Sequence, residues 1–135
     1  MKPAVIDASV AVKWFLDEPG SIAAEAVLEN LLTRKSEFIV PELFFFEVFS
    51  VCMRQHPQPL DFAQNDMPFL LELPLLRIAM NGSLAKDAAN ISLQGLTGYD
   101  ASYAALALSV DGEWLTFDKY AAASLGYPNW VNVLK

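Results

Sequence analysis

Cysteine occurs once, at Cys52, and histidine once, at His56. One thiol closes no internal disulfide, and one imidazole beside it leaves no Cys/His cluster for zinc. No stretch reaches the roughly 18 uninterrupted apolar residues that a membrane-spanning helix needs. The greasiest run, LFFFEVFSVCM at 43–53, is broken by Glu47. The amino terminus passes from one Lys straight into AVID, without the apolar core and cleavage site of a secretory signal. Long linkers, low-complexity tracts and internal repeats are also missing. Together these absences lead to the expectation of a soluble, cytoplasmic protein with no membrane partner. Basic residues are scarce as well: nine Lys and Arg stand against sixteen Asp and Glu, a net charge of −7. Phosphate binding rests on basic surface, so the charge taken alone argues against a nucleic-acid partner. That objection weakens where acids surround bound cations, which reverse the local sign.

The residues that are plentiful describe an ordered domain. Apolar residues make up 54% and charged residues 19% of the 135, enough to bury a core and suited to one domain over residues 1–135. Apolar runs of strand length at 3–7, 37–41, 74–79, 114–118 and 130–134 alternate with helical patterns at 8–16, 22–34, 42–55, 61–73, 84–95, 100–110 and 119–126. This alternation predicts an α/β fold with a mostly parallel central sheet of about five strands flanked by helices. Ser21 and Ser83 stand where helix caps belong, and residues 96–99 read as a loop. The apolar stripe of 22–34 is read as Ile22, Ala23, Ala26, Val27 and Leu31. Helix 42–55 is apolar nearly all round. Phe44, Phe45, Phe46 and Phe49 cannot all face one core, so part of that set is expected on a surface that meets another chain. Three prolines within 57–68 threaten the helix expected at 61–73.

A chain with few charges places carboxylates repeatedly beside its greasiest segments. Asp7 ends the first strand in AVIDASV, Asp100 opens a helix in GYDASYA, and Asp118 ends the strand of TFDKYAAA. Glu47 lies inside an apolar helix. Parallel sheets bind ligands outside the carboxyl ends of their strands, where Asp7 and Asp118 fall. Taken singly, each Asp also reads as a helix cap, and Glu47 as one member of a polar edge with Ser50 and Arg54. Taken together, clustered carboxylates repel unless a cation sits among them, and hard divalent ions prefer oxygen donors. His56, in a connecting segment, is a poor catalytic candidate. Lys13 reads as solvated, and Ser102 as a packing residue.

VIDASVAVKW, PELFFFEV, GYDASYAALA and LTFD, in this order and spacing, resemble the signature of PIN-domain ribonucleases, most nearly the toxins of VapBC toxin–antitoxin pairs. The resemblance covers essentially the whole chain. It implies a parallel sheet flanked by helices and a site built from Asp7, Glu47, Asp100 and Asp118. It also implies Mg²⁺ or Mn²⁺ as cofactor, RNA as substrate, a homodimer, and inhibition by a small antitoxin whose tail covers the site. Within that frame Asp7 and Asp100 would ligate metal directly, and Glu47 and Asp118 directly or through water. Ser9 and Thr116 would orient a carboxylate or a water. Two alternatives stand beside it: an idle PIN-like module that only binds a partner, and another acidic-site α/β phosphohydrolase. An Asp-x-Asp phosphatase would want a second Asp at position 9, where this chain has Ser9.

Overall fold

The computed structural model describes residues 2–135. Its strands are β1 (Ala4–Ile6), β2 (Phe38–Pro41), β3 (Leu76–Ile78), β4 (Glu113–Thr116) and β5 (Val131–Val133), all parallel in one sheet of order β3-β2-β1-β4-β5. β1 is central. Its three residues are wholly apolar and buried, as a strand covered on both faces must be. It pairs with β2 through Val5 against Ile39 and with β4 through Val5 against Trp114 and Ile6 against Leu115.

The chain winds outward from β1 to β2 to β3, then returns to β4 on the far side of β1. Crossovers of this kind are right-handed, so the helices of the outward run cover one face and those of the return run the other. The outward helices are α1 (Ala8–Phe15), α2 (Ser21–Leu32), α3 (Leu43–Gln55), the short α4 (Pro59–Asp61) and α5 (Met67–Glu72). The return run carries α6 (Gly82–Ser92) and α7 (Gly98–Ser109); α8 (Lys119–Ser124) then joins β4 to β5. α7 packs against β1, β2 and β4, and α1 against α3 and β4. Strand order reverses between β1 and β4, the position where open α/β sheets leave a ligand crevice. Phe44, Phe62, Tyr103 and Trp114 are the largest wholly buried side chains; removing a Phe from such a site costs about 3–5 kcal/mol.

The expected element order holds, with local corrections. In α2 the buried stripe is Ala24, Val27 and Leu31, while Ile22 is 84% exposed and Ala26 faces solvent. The spacing i, i+3, i+7 is helical, but its anchor is a small alanine rather than the conspicuous isoleucine. Ser21 is the first helical residue after a Gly20 N-cap, and Ser83 gives way to Asn81, whose side chain accepts from Leu84 N–H. Helix α7 starts at Gly98, inside the segment read as loop, because the Thr97 hydroxyl caps it by accepting from Asp100 N–H. The helix expected at 61–73 is a composite. Between α4 and α5 lies a π-helical turn, Phe62–Asp66, in which Met67 N–H reaches back to the Phe62 carbonyl. One widened turn before Pro68 absorbs the hydrogen bond that proline cannot make. The four phenylalanines divide as helical geometry demands: Phe44 and Phe45 are buried, while Phe46 and Phe49 are 71% and 42% exposed. Among the described residues no helix is long and apolar enough to cross a membrane.

Candidate active site

Four of the expected site residues, Asp7, Ser9, Thr116 and Asp118, gather where β1 and β4 end. Asp7 follows β1 directly, and its N–H extends the ladder to the Leu115 carbonyl at 2.9 Å. Asp7 Oδ2 accepts from Ser9 N–H at 3.2 Å, capping α1, and from the Thr116 hydroxyl at 3.1 Å. Thr116 Oγ1 in turn accepts from Asp118 N–H at 3.0 Å, and Ser9 Oγ accepts from Phe117 N–H at 3.0 Å. Ser9 Oγ and Thr116 Oγ1 lie 3.4 Å apart. The two hydroxyls therefore stitch the end of β1 to the end of β4 and fix both Asp7 and the backbone of Asp118. Asp118 Oδ1 caps α8, accepting from Tyr120 and Ala121 N–H at 3.0 Å each.

Glu47 reaches the same locality from α3. Its Oε1 accepts from the Tyr103 hydroxyl at 2.6 Å. Tyr103 is wholly buried on α7, one turn beyond Asp100, with its ring stacked on Trp114 at 6.3 Å between centroids. Tyr103 was not legible in the sequence as a site residue; its place one helical turn from Asp100 was the available signal. The polar edge read for Glu47 forms in part: Ser50 and Arg54 line the same groove, but neither bonds its carboxylate. Arg54 donates to Ser50 Oγ at 2.9 Å, leaving Glu47 to the tyrosine.

These hydrogen bonds share a pattern. Asp7, Glu47 and Asp118 each have one oxygen held by protein donors, while Asp7 Oδ1, Glu47 Oε2 and Asp118 Oδ2 accept none among the described residues. Among the described residues no group donates to the Asp100 carboxyl, and the Thr97 hydroxyl caps the helix by accepting from Asp100 N–H. The electrostatics follow. Burial pushes the Asp7 carboxyl above its ordinary 3.8, against the opposing pull of Ser9 and Thr116. Burial also raises Glu47, with a further push from the Asp7 charge, while the Tyr103 hydrogen bond pulls the other way. Asp100 is pushed to about 7, first by burial and then by the charges of Asp7 and Asp118. Tyr103 is held well above 10 by burial and by the Glu47 and Asp7 charges, so it stays a proton donor to Glu47.

Carboxylates from four segments thus share one locality, the charges of Asp7, Glu47 and Asp118 each acting on Asp100. Among the described residues no three acidic, histidine or cysteine side chains close tightly enough to form a ready coordination shell. The effect of neighbouring charges on proton affinity nevertheless places them within Coulombic reach of one another. An all-oxygen, anionic donor set with free second oxygens fits a hard divalent ion.

The remaining expected residues fall elsewhere. Lys13 is not solvated: its ammonium bonds Glu18 at 3.2 Å and the Pro19 carbonyl at 2.8 Å and lies 4.6 Å from the Phe117 ring centre. Ser102 bonds back to the Gly98 carbonyl at 2.8 Å, as packing on its own helix suggested. His56 ends α3, where its Nδ1 accepts from Gln58 N–H.

A parallel α/β sheet with an acidic crevice at its switch point defines the class. Residues 4–123 match the PIN domain family model, and the chain belongs to that family. Solved structures share the fold. A toxin–antitoxin complex from Klebsiella pneumoniae superposes with a TM-score of 0.66 at 18% identity, covering 96% of each chain. A VapC toxin of Mycobacterium tuberculosis that cleaves the sarcin–ricin loop gives 0.69 at 12% identity, covering 98% of this chain and 99% of its own. FitAcB from Neisseria gonorrhoeae gives 0.66 at 15%, covering 98% and 96%. At these identities the likeness is one of fold. No curated protein matches the sequence.

Proposed function

We propose that the chain, a single PIN domain over residues 1–135, is a divalent-metal-dependent endoribonuclease acting in the cytoplasm as the toxin of a toxin–antitoxin pair. The observation that carries this reading is the set Asp7, Glu47, Asp100 and Asp118. Burial and neighbouring charge raise the proton affinity of Asp7, Glu47 and Asp100, and Asp7, Glu47 and Asp118 each keep one oxygen fixed and one free. Such a set is costly in isolation and is relieved by Mg²⁺ or Mn²⁺. The neighbours' own descriptions, a toxin–antitoxin complex and an RNA-cleaving toxin, support the same direction.

Asp7 and Asp100 would hold the ion directly, with Glu47 and Asp118 holding it or its waters. When bound, the ion supplies positive charge that acidifies water and offsets charge developing on phosphate. The protein's own groups do the positioning. Thr116 and Ser9 aim Asp7, Tyr103 aims Glu47, and the α8 cap aims Asp118. Asp100, without a donor, is the carboxyl that carries a proton when no cation is near. Exposed Phe49 on α3 supplies apolar surface for a homodimer or a small antitoxin.

One observation favours a rival, a PIN-like module that only binds partners: the acids form no ready coordination shell. The deciding experiment is cleavage of a mixed RNA pool with and without Mg²⁺ or Mn²⁺, with wild type beside Asp7→Asn and Asp100→Asn. Metal-dependent cleavage by wild type, lost in folded variants, is the expected result. Equal activity in all three sinks the assignment of these residues. Failure of Asp7→Asn to weaken divalent-ion binding supports the idle module.

A further inference from the structure

Among the described residues only Lys13 and Arg77 of the cations form ion pairs, with Glu18 and with Glu42. Arg77 also lies 4.1 Å from the Phe45 ring centre. In a chain of charge −7, any surface that meets a polyanion must use few cations and draw affinity from something else. Next to Glu47 runs an open groove of about 350 Å³, lined by Phe46, Glu47, Ser50, Arg54 and Tyr99 among others. Two of its walls are aromatic and outward-facing: Phe46 is 71% and Tyr99 63% exposed. Each directly precedes a site carboxylate in sequence, Phe46 before Glu47 and Tyr99 before Asp100. Arg54 is exposed, and its one side-chain hydrogen bond among the described residues goes to the neutral Ser50 hydroxyl. Its guanidinium therefore retains donors for another acceptor. Tyr99 also borders an apolar cavity of about 210 Å³ walled by Ile78, Met80 and Leu84, so its ring forms the ridge between two depressions.

We propose that this groove seats the single-stranded RNA segment flanking the cut, with bases stacked on Tyr99 and Phe46 and a phosphate held by Arg54. The proposal rests on the nuclease reading above. Flat aromatic faces bind every base without sequence preference and without Coulombic help, and an exposed arginine adds a bidentate phosphate contact. This combination suits a chain too acidic to hold RNA by charge. Because Glu47 belongs to the same wall, a strand lying in the groove passes directly to the carboxylates. A protein segment would find apolar surface here too, but it gives the unpaired guanidinium no obligatory anion.

The test uses the full chain and a labelled pool of random-sequence single-stranded RNA 12-mers. Affinity is read by anisotropy in Ca²⁺ across a salt series, and cleavage is read separately in Mg²⁺ or Mn²⁺. Tyr99→Ala and Arg54→Ala should each weaken binding roughly tenfold, and Arg54→Ala should lower the salt slope by about one. Tyr99→Phe, which keeps the ring, should bind like wild type. Lys35→Ala removes a cation ahead of β2, at the opposite end of the strands, and should also change nothing. In cleavage, Arg54→Ala should raise KM and leave kcat. If Tyr99→Ala fails to fold, Phe46→Ala and Arg54→Ala, both at exposed positions, carry the test. Wild-type affinity and KM in Arg54→Ala and Phe46→Ala, in an enzyme that still cleaves, overturn the groove and leave the nuclease reading intact. Variants that lose a protein partner but keep RNA also overturn it. A wild type that neither binds nor cleaves the pool overturns both.

Discussion

Replacing Asp100 by Asn should stabilise the metal-free protein while abolishing its cleavage. Asp100 lacks a donor, and burial together with Asp7 and Asp118 moves its carboxyl from 3.8 to about 7. At about 1.4 kcal/mol per pKa unit that rise corresponds to about 4 kcal/mol. Asp100 is only partly buried, so water screens the interaction and leaves roughly 1–2 kcal/mol. The direction follows from proton uptake. An acid whose folded value is raised binds more protons in the folded chain than in the unfolded one between about pH 4 and 7. Its contribution is therefore intact below pH 4 and is lost as pH climbs through 7. Asn carries no charge at any pH. In EDTA at pH 8 the variant should melt roughly 3–8 °C above wild type, and at pH 4 the two should coincide. Added Mg²⁺ should raise the wild-type melting temperature at pH 8 and close the gap. Thermal melts by circular dichroism measure all of this. An Asn variant that melts below wild type at pH 8, or differs by the same amount at every pH, refutes the account of Asp100.

Thr116→Val should cost about 1–2 kcal/mol and about tenfold in Mn²⁺ affinity, because Asp7 loses a donor and Asp118 N–H its acceptor; Thr116→Ser should recover most of both, as titration calorimetry will show. Tyr103→Phe should cost roughly 1 kcal/mol by denaturant melt and lower kcat, since Glu47 loses the Tyr103 hydroxyl as donor while the ring keeps its stack on Trp114. Gly20→Ala should cost at least about 1 kcal/mol: Gly20 has φ +92°, and an added Cβ would lie 2.8 Å from Phe117 Cε1, beside the site.

Asp7 and Asp118 were legible in the sequence because their neighbourhood is local: a short apolar strand, an acid, then a helix. In the structure each is both strand-end residue and cap. Asp100 was legible as a helix-start acid, but its freedom from capping depends on Thr97, three residues upstream and easily read as loop. Glu47 could be suspected from its cost in an apolar helix. Its partner could not, because Tyr103 lies 56 residues away and only the packing of α3 against the rest of the core brings the two together. The misread stripe of α2 has the same origin. Hydrophobicity ranks Ile22 above Ala24, but the helix packs along Ala24, Val27 and Leu31, and the Trp14 indole donates to the Ala24 carbonyl. The parallel sheet, in contrast, follows from alternation alone, since parallel neighbours require long crossovers.

β1 pairs with its sequence neighbour β2 on one side only; its other side waits for a strand from far down the chain. Its partner β4 begins at Glu113, and the hydrogen bond from Thr116 to Asp7 spans 109 residues. The order of assembly is therefore constrained by the order of synthesis. A growing or truncated chain that stops short of Glu113 presents β1 as a bare apolar edge, without Thr116 to aim Asp7 and without Asp118. Such fragments should stick to one another before they could act on anything. Pairings this distant in sequence also close slowly, so the crevice is among the last parts of the molecule to exist. The crevice is therefore completed in one late step, and before that step Asp7 and Asp118 are not held together in it.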